Sequence, residues 1–290
     1  MFVFKAAVVG AGVMGGEIAQ VIAAAGVPVV LKDVDQQFVD TGLEKAREVS
    51  ASQAAKLVVK GKLTQEQGDA QVQGILGNIT GTTDYAGFGD VDFVIEAVPE
   101  KLGIKHAVLA DLDAVTPGHA ILASNTSGLS ITEIADATQR PDKVVGFHFF
   151  WPASSMRVIE VIEGDATSPE TTQAASTFAQ QIRKLAIRAA ECPGFVVNRI
   201  LVSTASEIWR YQDETGASPE ELDAHIKEAA GMPMGPFRVA DMSGLDTVVK
   251  VARDLRDAYG DRFYVHQGME ERVGRGELGA KSGKGFYEHR

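Results

Sequence analysis

Ala6-Ala7-Val8-Val9-Gly10-Ala11-Gly12-Val13-Met14-Gly15 is a short apolar run that breaks into glycines. An apolar run of this length ending in a tight turn predicts a buried parallel strand. Val13 to Ala25 then predicts a helix, with Gly26 in the role that closes a helix C-terminus. Val27 to Leu31 predicts a second strand, which ends at Lys32-Asp33. Strand, glycine turn, helix and strand make one βαβ unit. Gly10, Gly12 and Gly15 fit the dinucleotide fingerprint: the first allows the turn, the second lets a pyrophosphate approach the backbone, and the third lets helix and strand pack closely. Val13 and Met14 complete the loop, and the helix N-terminus supplies N–H groups for phosphates. Asp33 follows Gly10 by 33 − 10 = 23 residues, close to the ~20 expected of an acid that accepts from ribose hydroxyls and repels a 2′-phosphate. This favours NAD over NADP, with Asp35 a neighbouring competitor for the role of Asp33. A glycine-rich turn without ligand, or an FAD fold, is the alternative.

Outward from that unit, residues 36–77 are rich in Ala, Lys, Glu and Gln and break at Gly61-Lys62-Leu63-Thr64, which predicts an inserted helical hairpin. Strands are expected at Val91–Ala97, Ala120–Ser124, Lys143–Phe149 and Arg157–Ile162, and Ile104, Val108, Leu112 and Val115 recur at helical spacing. The alternation predicts an α/β fold with a doubly wound, mostly parallel Rossmann-type sheet over residues 1–190. Beyond Pro193-Gly194 only helical periodicity remains, so residues 191–290 are expected to form an all-helical domain.

The chain has 290 residues, 45% of them hydrophobic and 23% charged, and a formal charge of −11. An acidic balance argues against nucleic acid as a partner, because phosphate backbones select clustered cations. No signal-peptide layout or membrane span is apparent. The single cysteine, Cys192, cannot form an internal disulfide, which fits a reducing, cytoplasmic setting; flanked by Glu191 and Pro193, it is expected to be structural.

His148 ends an apolar strand, where active-site groups of open α/β sheets gather. Glu160 interrupts the apolar run Val158-Ile159 and Val161-Ile162, and a carboxylate buried there needs a partner. From the residues alone, His148 is equally a proton-transfer base or a packed strand-edge histidine.

The segments Ser124-Asn125-Thr126-Ser127, His148-Phe149-Phe150, Pro193-Gly194-Phe195-Val196-Val197-Asn198-Arg199, Pro233-Met234-Gly235-Pro236-Phe237 and Lys281-Ser282-Gly283-Lys284-Gly285-Phe286-Tyr287 occur in this order. With the glycine loop they resemble the L-3-hydroxyacyl-CoA dehydrogenase family, in particular its stand-alone 3-hydroxybutyryl-CoA members, over essentially the whole chain. The resemblance implies NAD-dependent oxidation of a 3-hydroxyacyl-CoA, with an acyl-CoA as the partner ligand and a homodimer formed through the C-terminal helices. It implies His148 as general base oriented by Glu160, and Ser127 and Asn198 as polar groups on the substrate oxygens. It implies Glu100 and Lys105 at NAD, and Lys56 and Lys60 at the CoA phosphates. Bland alternatives stand beside these: a helix cap for Ser127, a helix-surface amide for Asn198, and solvated pairs for the others. Glu163 is a decoy for Glu160.

The chain departs from the family pattern at three places. Trp151 stands where His-Phe-Phe-Asn-Pro has its amide and would reshape the acyl pocket. Glu17 replaces a glycine just beyond the fingerprint; an acid in the first helical turn suits the dipole but would crowd the pyrophosphate. Gly128 replaces a serine after Ser127. A related dehydrogenase of a free hydroxy acid or sugar acid would keep His148 and Glu160 without needing Lys56 and Lys60, and a non-catalytic NAD-binding protein would need neither pair.

Overall fold

The apolar run Ala6–Val9 forms strand β1, buried at every position, and Val13–Ala24 forms helix α1 directly after the glycine turn. Strand β2 follows at Val29–Lys32. The computed structural model describes residues 2–289, which divide into two compact units, one ending at Cys192 and the other beginning at Pro193.

In the first unit the hairpin comprises α2 (Gln36–Val59) and α3 (Gln65–Gly77). A capping box starts α3: Thr64 accepts from the Gln67 N–H while the Gln67 side chain accepts from the Thr64 N–H, satisfying two otherwise unpaired donors. Strands β3 (Ile79–Thr82) and β4 (Phe93–Glu96), helix α4 (Leu102–Val115), strand β5 (Ile121–Ser124), helix α5 (Ile131–Ala135), strands β6 (Val144–Phe149) and β7 (Val158–Glu163), helix α6 (Pro169–Gln181) and strand β8 (Leu185–Ala190) complete it.

The eight strands form one sheet in the order β3-β2-β1-β4-β5-β6-β7-β8. All neighbours are parallel except β6 and β7, which are antiparallel. The expected doubly wound, mostly parallel sheet is therefore present. The chain runs outward from β1 to β3 and then restarts at β4 on the other side of β1. That reversal opens a crevice beyond the C-terminal ends of β1 and β4, where open α/β sheets bind ligands.

Strands β1, β2, β4, β5 and β6 are buried throughout because helices cover both faces, which explains their unbroken apolar runs. Phe93, Phe147 and Phe178 form an aromatic cluster, with ring centroids 5.1 Å and 4.6 Å from Phe93 to the other two. Phe147 and Phe149 thereby commit one face of β6 to the core under α6, and the two-residue strand period sends His148 to the other face.

The second unit contains α7 (Val197–Thr215), α8 (Pro219–Ala230), α9 (Pro236–Ser243), α10 (Leu245–Tyr259) and α11 (Gln267–Gly274). Its core is built on Trp209, Phe237, Leu245, Val249, Leu255, Phe263 and Met269. Two buried acids organise the rest. Asp223 accepts from the Phe237 and Arg238 N–H groups that begin α9, and from the Tyr287 hydroxyl. Asp241, fully buried, accepts from the Phe286 and Tyr287 N–H groups and from His289. These contacts account for the segments around Pro236 and Gly285 as structural anchors. Replacing Asp241 by Ala strands three part-buried donors, so a loss of about 3 kcal/mol is expected. Urea unfolding, with limited proteolysis of the released C-terminal segment, checks it; unchanged stability would refute the anchoring role.

Candidate active site

The glycine loop has the stereochemistry its sequence requires. Gly10 has φ +101°, and a Cβ there would lie 2.6 Å from the Ala97 carbonyl oxygen. A Cβ at Gly15 would lie 1.7 Å from the Gly10 oxygen, so helix and turn touch backbone to backbone. Gly12 differs: a Cβ there would meet nothing within 4 Å. Gly12 is also the N-cap of α1, with no side chain satisfying the first helical N–H groups. Bare donors, a positive helix end and open space in front of them suit a pyrophosphate.

Asp33 follows β2 at this crevice. Its carboxylate accepts from the Ala11 N–H at 2.6 Å and the Val34 N–H at 2.7 Å. Asp35 accepts from the Gln37 N–H as the N-cap of α2, which leaves Asp33 as the acid on the glycine loop. Val13 is exposed beside it and Met14 is half-buried.

Beyond β4 lies a buried polar chain. Glu96, at the C-terminal end of β4, is paired in register with Val9 of β1 and Ser124 of β5. Its carboxylate, fully buried, accepts from the Lys105 ammonium at 2.8 and 3.0 Å, the Ser124 hydroxyl at 2.6 Å and the Val98 N–H at 2.7 Å. Lys105, on α4 and 1% exposed, also reaches Glu100 at 3.2 Å. Glu100 accepts in turn from the Thr126 hydroxyl at 2.5 Å and the Ser127 N–H at 3.0 Å. Burial pushes the Glu100 carboxyl up, but Lys105 and these hydrogen bonds outweigh it and hold the group below the usual carboxylate range. The stabilisation it gives is therefore present at neutral pH and is lost as pH falls through that lowered value.

The family resemblance implies that Glu100 and Lys105 act together at the cofactor. Here they differ: Glu100 is at the surface of the crevice, whereas the Lys105 ammonium is enclosed by two carboxylates and the Val98 carbonyl. Glu96, Ser124 and Thr126, which sequence reasoning passed over, complete the arrangement. Their signal was available: Glu96 and Ser124 close apolar strands and Thr126 follows two residues later, all buried, and a buried polar group requires a partner.

Ser127 is the next link. Its Oγ lies 3.1 Å from His148 Nε2, and His148 Nδ1 lies 2.8 Å from Glu160 Oε2. His148 and Glu160 are directly opposed across the antiparallel β6–β7 pair, so both side chains leave the same face of the sheet. Glu160 is fully buried and His148 is 4% exposed. A carboxylate on Nδ1 assigns the proton to that nitrogen and turns the lone pair of Nε2 towards Ser127. Ser127 is not a helix cap, because Ser130 caps α5. Glu163 is exposed at the end of β7.

The remaining residues are carried by other elements. Lys56 is in the last turn of α2 and Lys60 is its C-cap; both are exposed, at the tip of the hairpin. Asn198 is on the first turn of α7, in the second unit. Glu17 lies past the first turn of α1, and its carboxylate is engaged by Ser154 and not by the glycine loop. The expectation that it sits in the first turn and crowds the pyrophosphate is corrected: a helix starting at Val13 places residue 17 in its second turn. Among the described residues no group of three or more metal-ligating side chains is found, and no helix is long and apolar enough to cross a membrane.

Residues 5–192 match the family described as 3-hydroxyacyl-CoA dehydrogenase, NAD binding domain, and residues 194–289 match 3-hydroxyacyl-CoA dehydrogenase, C-terminal domain. The chain belongs to the 3-hydroxyacyl-CoA dehydrogenase family. The resemblance drawn from the ordered motifs is thus borne out, and the sheet-bearing unit of this dehydrogenase is an NAD-binding domain. A 3-hydroxybutyryl-CoA dehydrogenase from Clostridioides difficile is 40% identical over 286 residues, which cover 98% of this chain and 99% of that one. A probable 3-hydroxybutyryl-CoA dehydrogenase from Deinococcus radiodurans is also 40% identical over 286 residues, covering 98% of this chain and 100% of its own length. The crystal structure of the (S)-3-hydroxybutyryl-CoA dehydrogenase from Ralstonia eutropha has a TM-score of 0.88 at 37% identity, over 100% of both chains.

Proposed function

We propose that this dehydrogenase oxidises short-chain (S)-3-hydroxyacyl-CoA thioesters, 3-hydroxybutyryl-CoA among them, to 3-oxoacyl-CoA, and runs the reverse reduction when NADH is supplied. The observation that carries the reading is the His148–Glu160 pair, with Ser127 on the second imidazole nitrogen. Bound NAD⁺ supplies the hydride acceptor. His148 Nε2 takes the proton of the C3 hydroxyl, and Glu160 holds the ring in that tautomer and stabilises the imidazolium that forms. Ser127, within hydrogen-bond reach of Nε2, holds the reacting oxygen beside it. On cofactor side, the glycine loop and Asp33 take the pyrophosphate and ribose. Glu100 lines that site and Lys105 supports it from behind. Lys56 and Lys60, one helical turn apart and both exposed, offer two ammonium groups to CoA phosphates. The domain of helices, residues 191–290, pairs two copies of the chain; exposed Ile200, Leu201 and Tyr211 on α7 support that assignment.

The test is NADH formation from (S)-3-hydroxybutyryl-CoA compared with free 3-hydroxybutyrate. Binding energy from the CoA portion should favour the thioester by ~100-fold or more in kcat/KM. Equal or greater activity on the free acid would move the assignment to a hydroxy-acid dehydrogenase. Absence of turnover on either, with NADH binding intact, would reject catalysis at this site.

A further inference from the structure

The loop between His148 and Glu160 is held by an acid on the cofactor-binding helix. Glu17 is 3% exposed, and an unpartnered carboxylate at that depth is costly. It is partnered by one loop residue: Glu17 Oε2 accepts from the Ser154 N–H and from the Ser154 hydroxyl, both at 3.2 Å. A cation holds the same loop from the β8 side. The Lys184 ammonium donates to the carbonyls of Ala153 at 2.6 Å and Met156 at 2.7 Å. Burial lowers the Lys184 pKa, and the opposing charge of Glu17 offsets part of that. Glu17 and Lys184 thus hold one loop, with three of its backbone groups, at Ala153, Ser154 and Met156, bonded to charged side chains.

The loop matters because of what lies at its ends. It begins where β6 delivers His148, carries Trp151, and ends where β7 leads to Glu160. The Phe149 N–H is held separately by the Asn125 side chain at 2.9 Å, which pins the entry to the loop. Glu17 supplies the connection from this loop to α1, whose N-terminus faces the cofactor crevice.

We infer that Glu17 is a positioning residue: through Ser154 it fixes loop 151–156 and thereby registers the imidazole–carboxylate pair against the helix that binds the cofactor. The inference rests on the proton-transfer role proposed for His148 and Glu160, and one of its measurements does not depend on that role.

The chain has two tryptophans. Trp151 lies on the loop and is 44% exposed, while Trp209 is 3% exposed. Acrylamide quenching of intrinsic fluorescence therefore reports mainly on Trp151. Glu17→Ala should raise the quenching constant measurably and lower kcat ~10-fold, because small displacements of a reacting group are costly in rate. The NADH dissociation constant should stay within ~3-fold, since uniform cofactor binding is not what the loop supplies. Glu17→Gln keeps an acceptor oxygen for Ser154 and should recover most of both effects.

Unchanged quenching and kcat in Glu17→Ala would overturn the inference. So would a fall in activity matched by an equal loss of NADH affinity, which would place Glu17 in the cofactor site. If Glu17→Ala does not fold, Ser154→Ala removes one of the two bonds from the loop side and must shift quenching in the same direction; wild-type quenching there also overturns it. Failure of the proposed chemistry alone would appear differently, as altered quenching in Glu17→Ala alongside normal turnover in a His148 variant.

Discussion

His148→Gln should lower kcat by ~1000-fold, within the range seen for loss of a positioned general base, while NADH affinity changes little. That factor corresponds to about 4 kcal/mol of transition-state stabilisation. Glutamine fills the space and can hydrogen-bond, but it cannot accept and hold a proton near neutral pH. Glu160→Gln is the informative companion. Its amide can present an N–H to the imidazole and reverse the tautomer, so that Nε2 carries a hydrogen where a lone pair is required. A loss of ~100-fold or more in kcat follows from that reversal, with little change in NADH affinity. Steady-state rates paired with an NADH titration check both variants. Turnover near the wild-type level in His148→Gln would remove it as the base. A normal rate in Glu160→Gln would show that the buried carboxylate only fills the strand pair.

The second large effect concerns stability. Glu96 and Lys105 are 0% and 1% exposed by side chain. Glu96→Ala leaves the ammonium inside the protein with Glu100 as its remaining carboxylate, and deprives Ser124 and Val98 of their acceptor. Removing one partner of such a buried pair costs about 3–5 kcal/mol. The double substitution Glu96→Leu with Lys105→Met removes both charges and should cost clearly less than the sum of its single substitutions, which is the sign of direct coupling. Equilibrium urea unfolding of the four proteins gives the answer. Additive losses below ~1 kcal/mol each would mean that solvent reaches the pair and screens it.

Much of the sheet was legible because it is buried on both faces. Buried apolar runs such as Ala6–Val9 and Ile121–Ala123 announce themselves. Strands β3 and β8 were not legible. Ile79-Thr80-Gly81-Thr82 has a single buried residue, and Leu185–Ala190 is a mostly exposed edge strand, so neither carries a continuous apolar signal. The expected span Val91–Ala97 shortens to Phe93–Glu96, and the Asp92 side chain just before it accepts from the Phe4 and Lys5 N–H groups.

The site divides in the same way. Glu160 was legible because a charge inside an apolar strand demands a reason. Gly10 and Gly15 were legible because backbone contact leaves no other residue type possible there. Lys105 was not separable from Glu100 by spacing, since five positions along a loop and helix start do not reveal which group turns inward. Only the carboxylate of Glu96, two residues before Val98 and fully buried, decides it.

The direct rung between His148 and Glu160 sets how this protein can diverge. The separation of the two groups is fixed by strand pairing, not by the eight residues from Phe150 to Arg157 that join the strands. That connection can change in length or sequence around Trp151 while the His148–Glu160 separation is kept, provided that Ser154 keeps its bonds to Glu17. A single-residue deletion inside either strand has the opposite result: it sends one partner to the far side of the sheet and ends the chemistry in one step.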